Sequence, residues 1–180
     1  MIEKIEMPEV IECDGFRLVK PSLERVPDIF ESIDTSRDFL REFLAWVDNT
    51  KAPEDTEKAL EHFLKKWNDD EGFLYWIEVD GRVCGCIDSV KVSKKNHYLE
   101  FGYWLDKRFN KRGIMTKSVA VIEPYLKDRG FKRLVICCDV ANKASQAVAE
   151  KNGYEFEGIM KSRELRYGKY YDIKLHAKIL

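Results

Sequence analysis

The hydrophobic positions of this chain change their spacing twice. In the first third they recur at helical intervals, clearest at Leu60, Phe63, Leu64 and Trp67, which fall at i, i+3, i+4 and i+7. This pattern predicts helices over residues 23–34, 37–44 and from Pro53 or Asp55 to Trp67, with Pro21-Ser22 as an entry, Ser22 as cap and Glu24 in the first turn. A first strand, Phe16–Val19, precedes them. From Phe73 the pattern turns to strands: Leu74–Val79 and residues 83–92 flank Asp80-Gly81, a pair that tolerates the positive backbone angles of a tight hairpin turn, and Tyr98–Leu105 follows. Residues 114–127 read as a helix closed by Gly130. Pro124 lies inside it, and because proline cannot donate to Ala120, a kink or a shortened helix is expected. Arg133–Asp139 is then a strand parallel to Tyr98–Leu105, since a helix crosses between them. The order implies one α+β domain over residues 1–180 with a mixed sheet, without internal repeat or linker.

At 180 residues the chain can bury roughly 70% of its unfolded surface in one core. The 31 basic and 32 acidic residues nearly cancel, which argues against duplex DNA or an anionic membrane as a partner, and the aromatics do not interleave with a basic face as in RNA-binding modules. No stretch approaches the ~20 apolar residues of a membrane span or a secretory leader, so a cytoplasmic location is expected. Cys137 and Cys138 are neighbours on one predicted strand and point to opposite faces. Cys84 and Cys86 share a strand face by alternation, but Cys-x-Cys lacks the spacing of a structural zinc site. Reduced core thiols are expected rather than disulfides or a metal centre.

The segment with the most chemical content is Tyr103 to Thr116, an apolar strand running into Lys107-Arg108-Phe109-Asn110-Lys111-Arg112-Gly113 and a helix. Free N–H groups and the positive dipole end at a helix N-terminus bind anions, phosphate above all. The chain has neither G-x-x-x-x-G-K-[ST] nor G-x-G-x-x-G. Downstream stand Asn142-Lys143-Ala144-Ser145 and Glu150-Lys151-Asn152-Gly153-Tyr154. This succession resembles the acyl-CoA site of the GNAT N-acetyltransferases, whose pyrophosphate loop reads Gln/Arg-x-x-Gly-x-Gly/Ala. Gly113 matches that loop outright, while Asn110 and Met115 depart from it. The Gly-Tyr-Trp-Leu-Asp entry, Asn-x-x-Ser and the ending Tyr170-Tyr171-Asp172 make the chain similar to the ribosomal-protein-serine N-terminal acetyltransferase branch.

The resemblance implies a GNAT fold: a mixed, mostly antiparallel sheet flanked by helices, whose central parallel strands splay to admit the pantetheine arm of acetyl-CoA. It implies pyrophosphate contacts from Lys111, Arg112, Gly113, Ile114, Met115 and Thr116, and pantetheine contacts from Trp104, Leu105 and Asn142, with a bulge in the Tyr98–Leu105 strand freeing an N–H for the thioester carbonyl. Many GNAT enzymes protonate the leaving thiolate with a tyrosine where this chain has Ala149; in the similar branch the serine of Asn-x-x-Ser does so, and Ser145 matches it. The base falls to Glu164, acting through water, or to Glu100. Phe39, Phe43 and Trp46 read first as core, secondarily as an acceptor wall. The implied activity is acetyl transfer to a primary amine, the N-terminus of a ribosomal protein. A polyamine, amino acid or aminoglycoside acceptor remains open, as does a catalytically degenerate CoA-binding regulator. Relatives often dimerise through the terminal strands, so a homodimer at Tyr170-Tyr171 is a further expectation.

Overall fold

Asp80 (φ 48°) and Gly81 (φ 78°) take up the two left-handed conformations that a two-residue hairpin needs. They join β3 (Leu74–Val79) to β4 (Arg82–Ser93) in the computed structural model, which describes residues 2–180. The other strands are β1 (Val10–Cys13), β2 (Phe16–Val19), β5 (Tyr98–Leu105), β6 (Arg133–Asp139), β7 (Glu155–Arg166) and β8 (Lys169–Ile179). The helices are α1 (Val26–Thr35), α2 (Arg37–Leu40), α3 (Pro53–Asn68), α4 (Ile114–Asp128) and α5 (Lys143–Lys151). All eight strands form one sheet in the order β1-β2-β3-β4-β5-β6-β8-β7, antiparallel throughout except where β5 meets β6.

The sheet is covered on both faces. Leu99, Phe101 and Leu105 of β5 pack with Val119, Ile122 and Leu126 of α4 in the larger core. Trp104, from the other face of β5, packs against the smaller core that Ile29 and Ile33 of α1 share with Leu60 of α3. Alternation along β5 therefore turns Glu100, Gly102 and Trp104 toward the N-terminal helices and Phe101, Tyr103 and Leu105 toward α4.

Several elements differ from their sequence patterns. β1 was not expected, because Val10–Cys13 is only four residues long and interrupted by Glu12, although Asp14-Gly15 repeats the hairpin signal of Asp80-Gly81. The 23–34 helix opens as a 3-10 turn, Leu23–Arg25, and Ser22 makes no side-chain cap bond. The 37–44 helix stops at Leu40: the Arg37 guanidinium reaches ahead to the carbonyls of Val47 (2.5 Å) and Thr50 (2.8 Å) and holds the following chain in irregular turns. α4 is not shortened by Pro124, because Pro124 and Ala120 both lie exposed and the released carbonyl can meet water. Cys84 and Cys86 do not share a face. The β3–β4 register gains one residue on β4 between Val83 and Gly85, and this bulge turns Cys84 into the α4-side core and Cys86 into the opposite one.

Candidate active site

β5 pairs with β6 only from Tyr98 to Phe101, against Arg133 to Ile136. Beyond that point the two strands part, and a cleft of about 410 Å³ opens between them. The Asp106 N–H donates to the Cys84 carbonyl at 2.7 Å, so by alternation the N–H and C=O of Trp104 also turn to β4, while those of Tyr103 and Leu105 face the opening. The free groups arise from splaying, since the register irregularity of the β4–β5 pair adds its extra residue, Val90, to β4 rather than β5. Leu105 thus turns its backbone, rather than its side chain, to the opening. Trp104 also borders the cleft, and its indole packs against Trp46 at 6.1 Å between ring centroids. Tyr103, absent from the expected set, supplies the second open backbone unit.

At one end of the cleft the chain turns through Lys107–Phe109 into α4. Asp106 fixes this turn: fully buried, it accepts from the Arg108 N–H at 2.8 Å and from its guanidinium, while the Lys107 N–H donates to Ser36 Oγ at 3.1 Å. Burial pushes the Asp106 carboxyl up, but the bonds from Arg108 outweigh it and hold it below the ordinary range. Lys111 (φ 63°) and Gly113 (φ 74°) are both left-handed, and a Cβ on Gly113 would meet nothing within 4 Å. The constraint at Gly113 is therefore its backbone angle and the room left for a ligand, not a protein neighbour. The first α4 bond within the helix runs from Lys117 to the Gly113 carbonyl at 2.9 Å, leaving the Ile114, Met115 and Thr116 N–H groups without helical partners, all three beside the cleft. No acidic residue stands in this first turn. A pyrophosphate fits this arrangement. Lys111 borders the cleft, whereas Arg112 folds its guanidinium over the Phe109 ring at 5.0 Å and donates to the Arg108 carbonyl, away from the expected phosphate contact.

Across the cleft, Asn142 caps α5 by accepting from the Ser145 N–H at 3.0 Å. Asn152 bridges the two helices by donating to the carbonyls of Thr116 and Val148. Ser145 Oγ lies 2.8 Å from Tyr103 Oη, within hydrogen-bond distance, and Cys138 is a close neighbour of the pair. Burial raises the Tyr103 hydroxyl well above the usual phenol range, so it stays protonated at neutral pH, and burial likewise keeps Cys138 a thiol. A tyrosine hydroxyl therefore reaches Ser145 from β5, where the motif around Ala149 has none, and a linear motif could not reveal it.

The opposite end is walled by Phe39, Leu40, Phe43 and Leu44. Phe39 is 38% exposed, so this helix turn lines the cleft rather than filling the core. Behind it, fully buried Arg166 is paired with Asp139, donates to the Glu42 carbonyl and stacks on Tyr171 at 3.9 Å. Glu164 and Glu100 are not among the lining residues. Glu164 lies 3.3 Å from Arg166 Nε, and Glu100 lies 3.3 Å from Lys91 while accepting from Tyr98 Oη at 3.0 Å.

This architecture has close counterparts. The ribosomal-protein-serine acetyltransferase of Escherichia coli (strain K12) is 28% identical over 181 residues, spanning 100% of this chain and 98% of that protein. The RimL ribosomal L7/L12 α-N-protein acetyltransferase in complex with coenzyme A superposes with a TM-score of 0.91 at 28% identity, over 96% of this chain and 98% of that one. The microcin C7 self immunity acetyltransferase MccE, in complex with acetyl-CoA and AMP, also gives 0.91, at 25% identity over 97% and 98%. The acetyltransferase (GNAT) domain matches residues 16–155, and the chain belongs to that family of acetyltransferases.

Proposed function

We propose that this enzyme transfers the acetyl group of acetyl-CoA to the N-terminal α-amine of a protein, with a ribosomal protein as acceptor. The observation that carries the reading is the continuous cleft, from the bare α4 N-terminus, past the Tyr103–Ser145 hydroxyl pair, to a mouth walled by Phe39 and Phe43. The full-length likeness to the ribosomal-protein-serine acetyltransferase supports the acceptor class.

Acetyl-CoA, when bound, supplies the activated acyl group. The N–H groups of Gly113 to Thr116, with Lys111, hold its pyrophosphate, and the open Tyr103 and Leu105 backbone orients its pantetheine, with Asn142 beside it. Ser145 donates the proton to the departing sulfur, and Tyr103 restores it. On the amine side little driving force is needed, because an α-amino group titrates near ~7.7. The base on this reading is Glu164, acting through water, or Glu100 from β5; each is held in an ion pair outside the cleft lining. The same reading carries a cytoplasmic location and a homodimer built on β7 and β8, where the cross-strand partners Leu165 and Tyr170 are exposed.

The test is acetyl transfer from labelled acetyl-CoA, read by intact mass on ribosomal proteins and a panel of small amines. Label on a protein N-terminus is expected. Label confined to small amines assigns a small-molecule acceptor, and bound acetyl-CoA without transfer assigns a CoA-binding regulator.

A further inference from the structure

A third carboxylate stands on the sheet face that carries Trp104. Asp88 lies on β4 between Leu74 of β3 and Gly102 of β5, one step along that face from Cys86 and its partner Trp104. Its Oδ1 is closed off from solvent and has no hydrogen-bond partner, although the residue as a whole is part-buried. A Cβ on Gly102 would come within 2.8 Å of that oxygen, so the bare backbone of Gly102 is what makes room for it over β5. Glu100 and Glu164 each hold a cation, whereas Asp88 forms no ion pair among the described residues. The groups that face it are Lys66 from α3, Cys86 on its own strand, and Glu100 with Lys91 further along the face. An acceptor oxygen held without a donor is destabilising and calls for an explanation, such as a ligand that completes it.

We propose that the Asp88 carboxylate receives the ammonium of the acceptor beside Trp104 and takes its first proton; Asp88, like Glu100 and Glu164, lies outside the cleft lining, and the acceptor nitrogen reaches it past Trp104. This rests on the N-acetyltransferase reading above. The neutral nitrogen then forms the N–C bond to the thioester carbonyl carbon, the C–S bond breaks with its electron pair going to sulfur, and sulfur takes its proton from Ser145. Tyr103 restores the proton Ser145 gave up and is itself replenished by the second proton of the nitrogen, while the proton on Asp88 leaves to solvent, so one proton is released per acetyl group transferred. Burial holds the Asp88 carboxyl up at about 6 against the lowering effect of Lys66, which brings it nearer the ~7.7 of an α-amine than an ordinary aspartate would be.

Asp88→Asn keeps the side-chain shape, and a melting curve checks its fold. In the wild type, kcat/KM for whichever amine accepts label should fall on the acid side with an inflection near 6. In the variant that limb should vanish and kcat should drop about 100-fold, with KM for acetyl-CoA unchanged. An independent readout uses no turnover: in the unliganded protein, the carbon-13 carboxyl resonance lost in Asp88→Asn should titrate near 6. Near-wild-type kcat with the acid limb intact, or a resonance titrating near 4, overturns the role of Asp88. A wild type that labels no amine overturns the transferase reading instead, and the resonance still judges the carboxylate.

Discussion

On the proposed reading, the two ends of the cleft recognise their ligands by different means. At the cofactor end the working groups are backbone N–H and C=O of Tyr103, Leu105 and residues 113–116, freed by a strand that splays and a helix that begins. At the acceptor end they are side chains: Phe39, Phe43 and Trp104 around the mouth, with Trp46 packed on Trp104 and the buried pair Arg166–Asp139 behind. Backbone groups can be held by a few local residues with special conformations, so the first end tolerates Asn110 and Met115 at positions where the loop signature has others. Side-chain walls depend on partners brought together from distant segments, and a change in one is felt by the rest.

The largest effect should therefore come from the acceptor end. Replacing Arg166 by Met leaves Asp139 buried without its cation and removes the tie to the Glu42 carbonyl. Breaking a buried pair from one side typically costs about 3–5 kcal/mol, so a lowered denaturation midpoint of that size is expected. Asp139→Asn added to it should recover part of the loss. A midpoint within about 0.5 kcal/mol of wild type would mean that the pair does not hold the mouth together.

Asp88 should behave in the opposite sense. Its folded carboxyl lies at about 6, above the ordinary 3.8, so the contribution it makes to stability is full below about pH 4 and is lost as pH rises through 6. Asp88→Asn should then melt higher than wild type at pH 8, by at most about 3 kcal/mol, and no higher at pH 4. Equal melting at both values would show that the carboxylate is not held in a low-dielectric setting.

At the cofactor end, Gly113→Val has no protein atom to strike, yet forces a β-branched residue to a φ of 74° and puts methyl groups where the pyrophosphate approaches. About a 100-fold loss of acetyl-CoA affinity by calorimetry is expected, with a midpoint lowered by no more than about 1–3 kcal/mol. Undiminished affinity would move the pyrophosphate elsewhere.

The same contrast explains what could be read from the chain before its structure. Gly113, Asn142 and Ser145 form runs in which each residue sits near its partners, so their grouping at the cleft was legible. So was the parallel pairing of β5 with β6, because a crossover helix leaves little choice. The shared face of Glu100, Gly102 and Trp104 was legible from alternation, but which strand carried the extra residue was not, and with it went which backbone units, Tyr103 and Leu105, face the opening. Asp88 carries no motif, and its isolation depends on Leu74, Gly102 and Lys66 arriving from three elements. Phe39 and Phe43 followed a helical period that Arg37 cuts short through bonds to residues ten and more positions on.

The smallest effect is the one that separates a relay from a lone donor. Tyr103 Oη is 2.8 Å from Ser145 Oγ and is held protonated by burial, so it can hand Ser145 a proton without itself becoming an anion for long. Tyr103→Phe leaves the ring in the core, the strand backbone facing the opening and the Ser145 hydroxyl in place. If the two hydroxyls act in series, kcat should fall about 10-fold while KM for acetyl-CoA stays unchanged, since the backbone contacts do not depend on the phenol. Adding Ser145→Ala should then cost little beyond Ser145→Ala alone, because two members of one path are not additive. Independent, multiplying losses would instead assign the two hydroxyls to separate tasks, with Tyr103 serving to place Ser145 rather than to feed it.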